Sequence, residues 1–284
     1  MNGTAARDAL DGAITAIAAA GCETPRLDAE LLLADVLGVD RRALLADLMS
    51  GDPELRVQGP AVRAFQTAVR RRAVEREPVA YIVGHRGFRR LDLTVDARAL
   101  VPRPETEQLV EVGLALRPGA SVLDLGTGSG AVALALKDER PDLEVTGSDL
   151  SEGALELARA NGRRLRLDVR WLRADMLDGV PDEFDAILSN PPYVAESERA
   201  LLAPEILRHE PSSALFAGPD GLAAIRRLLG ELAERSRVEL VALEVGCGQA
   251  GTVAGLVRVA GFQLVRCERD LAGVERMVVG ERRA

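Results

Sequence analysis

The segment Val122-Leu-Asp-Leu-Gly-Thr-Gly-Ser-Gly-Ala131 constrains the fold of this 284-residue chain more than any other stretch. An apolar run of strand length passes into glycines at alternate positions and then into an apolar helical segment. Glycine at 126, 128 and 130 lets the backbone turn tightly and approach a ligand with no Cβ in the way. The first N–H groups of the following helix lie exposed beyond that turn. The same alternation continues along the chain. Strand patterns are predicted at 121–125, 144–148, 169–173, 184–189 and 239–245, with helical stretches around 131–140, 151–162 and 221–235. Two last strand patterns, near 262–268 and 274–279, stand too close for a crossover helix and should pair antiparallel. The expected architecture is α/β: a mostly parallel, doubly wound, Rossmann-like sheet that ends in an antiparallel hairpin.

The first part of the chain follows a different period. Leu10, Ile14 and Ile17, then Leu27, Leu31 and Leu32, then Val62, Phe65 and Val69 recur at helical spacing, punctuated by Gly21, Gly38 and Gly59-Pro60. A small helical bundle over 1–76 is predicted. Val79–Val83 and Leu91-Asp-Leu-Thr-Val95, with Gly84 and Gly87 between them, read as a hairpin within a linker at 77–100. Val101-Pro-Arg-Pro-Glu-Thr-Glu107 is a rigid lead-in to the α/β domain at 101–284: Pro102 and Pro104 fix the backbone, and Glu105 and Glu107 suit a helix N-terminus.

Composition narrows the function classes. Net charge is -8, with 36 basic and 44 acidic side chains, whereas a protein gripping nucleic acid through its phosphates is usually basic. Direct nucleic-acid binding is not expected. Residues 1–90 are nearly neutral, with 13 arginines against 12 acids, including the cluster Arg70, Arg71, Arg72 and Arg76. The three cysteines (Cys22, Cys247, Cys267) and two histidines suggest neither a disulfide framework nor a metal site. No apolar run approaches membrane-spanning length, and the N-terminus lacks the pattern of a secretion signal, so a cytoplasmic protein is expected.

Two constellations carry the chemistry. The first is the glycine loop with its carboxylates. Gly126, Gly128 and Ala131 also satisfy the dinucleotide pattern, so the loop alone leaves NAD and S-adenosylmethionine (AdoMet) open. Asp149, after the second strand, suits two ribose hydroxyls of either ligand. Asp124, just before the loop, favours AdoMet, because a carboxylate near the methionine ammonium is useful and one beside a pyrophosphate is repelled. Asp175, after the third strand, is placed to accept from an adenine amino group or to cap the following turn.

The second is Asn190-Pro-Pro-Tyr193, directly after the fourth predicted strand, at the carboxyl ends of the strands where ligands gather. The two prolines stiffen the turn and donate nothing, which leaves the Asn190 side-chain oxygen and the Pro191 carbonyl as fixed acceptors. Such a pair suits methylation of a planar –NH2 group, whose lone pair is delocalised. Each acceptor takes one N–H, which aims the nitrogen and draws off developing positive charge without a strong base. Tyr193 is expected to lie against the planar group and screen a sulfonium.

These residues bring out a resemblance over essentially the whole chain. It is similar to the release factor glutamine methyltransferases, the HemK or PrmC family. The resemblance rests on Pro78-Val-Ala-Tyr-Ile-Val-Gly-His85 with Phe88, Val101–Glu107, Asp124–Gly130, Asn190–Tyr193, and His209-Glu-Pro211 followed by Gly221. It implies a helical N-terminal domain joined by a hairpin to a class I AdoMet-dependent methyltransferase domain. It also implies N5-methylation of the glutamine side-chain amide in the Gly-Gly-Gln motif of class I peptide chain release factors, with S-adenosylhomocysteine as product. By the same resemblance Gly126, Thr127, Gly128, Ser129, Gly130, Asp149, Leu150 and Asn190 bind AdoMet, and Asn190, Pro191, Pro192 and Tyr193 hold the glutamine amide. The family often has a bulky aromatic after Asp175; this chain has Met176, a soft wall for the adenine. The near-neutral, Arg-bearing first domain is expected to dock the release factor. Alternatives that share the chemistry are glutamine methylation of a large-subunit ribosomal protein and N6-adenine or N2-guanine methylation of nucleic acid; a scaffold that only senses AdoMet is the non-enzymatic one.

Overall fold

The structure, a computed structural model, describes residues 4–50 and 56–282. The chain forms two compact units, one running up to Gly84 and including Ala203–His209, the other holding the remainder.

The first unit is helical, as the spacing of its apolar residues predicts. Helices α1 (Ala6–Ala19), α2 (Pro25–Leu37), α3 (Arg41–Ser50) and α4 (Gly59–Arg70) enclose a core of Leu10, Ile17, Leu32, Leu33, Leu44 and Phe65. The pair β1 (Thr4–Ala5) and β2 (Arg56–Val57) adds two antiparallel rungs. After α4 the chain widens into a π-type turn over Arg71–Glu75. Val79–Val83, expected as a strand, is instead the short helix α5 between Pro78 and Gly84. Five residues are too few for period to separate the two states, and the flanking Pro and left-handed Gly cap decide it.

The arginine cluster is engaged within this unit. Arg72 is buried: its Nε donates to Asp28 Oδ2 at 2.6 Å and its Nη2 to Glu205 Oε1 at 3.0 Å. Arg76 donates to Glu205 Oε2 and to the Ala20 carbonyl, both at 2.6 Å, and Arg71 pairs with Glu77. Arg70 lies 3.8 Å from Glu75, so all four guanidiniums have a carboxylate partner inside this unit.

The second unit carries the sheet. A hairpin of β3 (His85–Phe88) and β4 (Leu91–Thr94) turns at Arg89-Arg90, so the expected hairpin exists but with its first strand displaced beyond Gly84. Helix α6 (Glu107–Leu114) follows the proline-stiffened turn Pro104–Thr106. The Glu107 carboxylate accepts from the Arg89 N–H at 3.0 Å and so braces the hairpin. Then come β5 (Ser121–Leu125), α7 (Ala131–Glu139), β6 (Glu144–Asp149), α8 (Glu152–Leu165), β7 (Arg170–Arg173) and β8 (Ala186–Ser189). Beyond α9 (Pro204–His209), which belongs to the first unit, lie α10 (Ala223–Leu232), β9 (Leu240–Glu244), α11 (Ala250–Val259), β10 (Leu264–Arg269) and β11 (Glu275–Glu281).

These seven strands run in the order β10-β11-β9-β8-β5-β6-β7, with β5 to β9 parallel and β11 antiparallel to both neighbours. All residues of β5 and β8 are buried, which is why both read as continuous apolar runs without alternation. Strand β5 lies between β6 and β8, so the chain winds outward in both directions from it. A crevice is expected at the carboxyl ends of the strands at that switch point. No described helix is long and apolar enough to cross a membrane.

Candidate active site

The loop after β5 and the turn after β8 meet at this switch point: a Cβ built on Gly126 would lie 3.9 Å from the Asn190 carbonyl oxygen. Gly126, Gly128 and Gly130 all have left-handed φ, between 56° and 86°, which a side-chain-bearing residue adopts only at a cost. The loop is pinned by the N–H groups of Gly126 and Thr127, which both donate to the Ser148 carbonyl at 2.9 and 2.8 Å.

Its carboxylates are held as firmly. Asp149 accepts from Gly128 N at 3.0 Å through Oδ2 and from Ser151 N at 2.8 Å through Oδ1, although burial raises its pKa. Asp124 is 2% exposed and accepts from Thr127 Oγ1 at 2.6 Å and Ala133 N at 3.1 Å, both through Oδ2. Burial pushes its pKa up to about 6, against the lowering effect of those two donors. A buried carboxyl poised near neutrality is a natural partner for a cationic group.

A cavity of about 280 Å³ opens over these residues. It is lined by Asp124, Gly126, Thr127, Gly128 and Ser129, by Asp149 and Leu150, by Asp175 and Met176, and by Asn190, Pro191 and Pro192. The Ser129 hydroxyl is buried there with no hydrogen-bond partner, a polar atom left for a ligand. Gly130 does not line it; that residue starts α7, where a Cβ would come within 3.0 Å of Leu134 and Trp171. Met176 reaches the cavity from a backbone with φ of 54°. Asp175 lines it too, but its Oδ1 accepts from Arg227 Nη1 at 2.7 Å, so part of the carboxylate is already engaged.

The turn after β8 is anchored more deeply than its sequence indicates. Asn190 Nδ2 donates to Thr106 Oγ1 at 3.1 Å, and the Thr106 hydroxyl donates to Glu244 Oε2 at 2.6 Å. Glu244, 1% exposed at the end of β9, also accepts from the Tyr193 hydroxyl at 3.2 Å through Oε1. Tyr193 therefore does not line the cavity; its phenol is turned to a buried carboxylate, and burial together with that negative charge raises its pKa. The Tyr193 carbonyl accepts from Gln249 Nε2 at 2.9 Å. Gly221, with φ of 73°, passes so close that a Cβ there would sit 2.2 Å from the same oxygen.

Thr106, Glu244 and Gln249 were not singled out as site residues by the sequence. Thr106 and Glu244 are 138 positions apart, and only the packing of α6 against β9 unites them. Both histidines have structural partners: His85 Nδ1 lies 2.8 Å from Asp92 and His209 Nε2 2.9 Å from the Glu75 carbonyl. Cys247 is exposed. The connection 194–220 folds back on itself through Val194 and Phe216, and Arg103 pairs with the buried Glu210 at 2.6 Å beside the cavity.

A glycine loop, the Asp149 carboxylate beside it and an Asn-Pro-Pro-Tyr turn meet at one switch point, as in a Rossmann-like methyltransferase. Two family models match: "Methyltransferase small domain" over 105–218 and "PrmC N-terminal domain" over 8–84. The fold is also that of a Pyrococcus furiosus methyltransferase (TM-score 0.53, 20% identity, 68% of this chain and 90% of that one) and of the hMettl16 catalytic domain (TM-score 0.54, 14% identity, 81% and 84%). The release factor glutamine methyltransferase of Rhodospirillum rubrum is 43% identical over 97% of this chain and 84% of its own. That of Deinococcus radiodurans is 42% identical over 97% and 98%. The chain belongs to the release factor glutamine methyltransferase family.

Proposed function

We propose that this protein methylates N5 of the glutamine side chain in the Gly-Gly-Gln motif of class I peptide chain release factors, with AdoMet as donor. The observation that carries the reading is the Asn190 carboxamide, tied through Nδ2 to Thr106 at the wall of the cavity that the glycine loop and Asp149 also line. With Nδ2 occupied, Oδ1 is the end left to accept from a substrate.

The residues fit the donor. Asp149, its two oxygens oriented by backbone N–H groups, receives the ribose hydroxyls. Asp124 faces the ammonium, the free Ser129 hydroxyl offers one further contact, and Met176 forms a wall for the adenine. Bound there, AdoMet supplies an activated methyl carbon: the nitrogen–carbon bond forms as the carbon–sulfur bond breaks, leaving S-adenosylhomocysteine.

The chain's own contribution is orientation. An amide nitrogen is a poor nucleophile, so holding both N–H bonds fixes the one direction in which its lone pair can act. Asn190 Oδ1 and the Pro191 carbonyl take those N–H groups and draw positive charge from the nitrogen as it is alkylated. One N–H proton then passes to solvent, with no strong base required. In this reading residues 101–284 do the chemistry. The helical residues 1–76 receive the intact factor, through surfaces other than the Arg72 cluster.

Incubating the enzyme with AdoMet and a release factor, digesting, and weighing the Gly-Gly-Gln peptide tests the proposal. One added methyl on glutamine supports it; methylation of a ribosomal protein or nucleic acid instead, with none on the release factor, refutes it.

A further inference from the structure

The stiff segment 101–107 delivers Thr106 to the cavity. Thr106 is buried, lines the cavity and follows Pro102 and Pro104, which fix the approach of its backbone. Arg103, between the prolines, is tied to the buried Glu210 carboxylate at 2.6 Å. A threonine hydroxyl so tightly placed can do only one of two things toward Asn190: donate to it or accept from it.

Glu244 decides which. A hydroxyl has a single proton, and that of Thr106 goes to Glu244 Oε2 across 2.6 Å. Burial raises the Glu244 pKa, against the lowering effect of its bonds from Thr106 and Tyr193; in the ionised form, with the Tyr193 hydroxyl proton on Oε1, both oxygens of the carboxylate are acceptors and neither has a proton to return. Thr106 Oγ1 is left with lone pairs alone toward Asn190. A carboxamide with its oxygen turned to Thr106 would set two acceptors face to face, whereas Nδ2 in that place donates at 3.1 Å.

We propose that Thr106, polarised by Glu244, is the positioning residue that sets which end of the Asn190 carboxamide faces the substrate. The inference rests on Asn190 being the amide holder of the proposed function. It gives the lead-in segment and the end of β9 a shared role, the prevention of a flip that would present an –NH2 to an –NH2 and repel the substrate amide.

Thr106→Val, Thr106→Ser and Glu244→Gln test it. Valine keeps the shape and removes the acceptor, serine keeps the hydroxyl, and glutamine supplies an N–H that lets Thr106 reverse its bond. In Thr106→Val, kcat on a Gly-Gly-Gln substrate should fall at least about tenfold while the Kd of AdoMet holds. Serine should recover most of the rate, and Glu244→Gln should resemble valine. Amide proton exchange at Asn190 Nδ2, followed by 15N NMR, should be slow in wild type and the serine variant and fast in the valine variant. A valine variant with wild-type kcat and slow exchange would overturn the proposal, as would a serine variant no better than valine. Failure of wild type to methylate glutamine would strike the functional reading instead, and the exchange measurement would still judge Thr106.

Discussion

The binding of AdoMet should weaken sharply in acid, and Asp124 sets the size of the effect. Its carboxyl is fully buried and its pKa is pushed up from 3.8 to about 6. If only the ionised form receives the methionine ammonium, apparent affinity falls with the ionised fraction. Protonation is negligible at pH 7.5, half complete at pH 6 and about nine-tenths complete at pH 5, so Kd should rise roughly tenfold from pH 7.5 to 5. The unliganded fold shows the opposite sign. Its proton is held more tightly than in the unfolded chain, so this group stabilises the fold at low pH and loses that contribution as pH rises from about 4 through 6. Calorimetric titration at pH 7.5, 6 and 5 measures the first effect. S-adenosylhomocysteine, which keeps the ammonium but not the sulfonium, should follow AdoMet; 5′-methylthioadenosine, which lacks the ammonium, should show a flat profile. The same slope for methylthioadenosine, or none for AdoMet, would refute the placement of Asp124 beside the ammonium.

Three further outcomes follow from the packing. Gly221→Ala puts a methyl 2.2 Å from the Tyr193 carbonyl on a left-handed backbone, so a loss of at least about 2 kcal/mol in urea unfolding and a drop in kcat are expected. Asn161, fully buried, bonds the Thr94 N–H and the carbonyls of Thr94 and Ser129; Asn161→Ala should cost about 2 to 3 kcal/mol and weaken AdoMet binding measured by calorimetry, because the glycine loop loses its tether. Arg72→Glu should destabilise the protein by at least about 3 kcal/mol, since it leaves Asp28 and Glu205 facing a third carboxylate. Arg70→Glu, on a side chain 72% exposed, should change thermal stability little, and equal melting of the two variants would contradict the assignment.

The sequence was legible wherever local pattern and structure share a cause. The buried parallel strands read as apolar runs because both faces are covered, and the glycines of the first loop read as a ligand turn because their φ values demand glycine. It was misleading where the cause is tertiary. Val79–Val83 is strand-like in composition and helical in fact. Helix α11 escaped notice because Gly251 and Gly255 dilute its apolar period. Arg72 stands in a run of arginines, and no spacing reveals that Asp28 and Glu205 surround it. The site divides in the same way. Asn190 is visible because two prolines follow it, whereas Glu244, at the end of an apolar strand, becomes a site residue only through Thr106 and Tyr193.

Parallel methyl-transfer assays on wild type and Asn190→Ala, with a release factor as acceptor and AdoMet binding measured on both, test the core of this account. Wild type should place one methyl on the glutamine of Gly-Gly-Gln. The variant should bind AdoMet nearly as well and transfer almost none. Transfer that survives removal of the carboxamide would contradict the assignment of Asn190 as the holder of the reacting nitrogen.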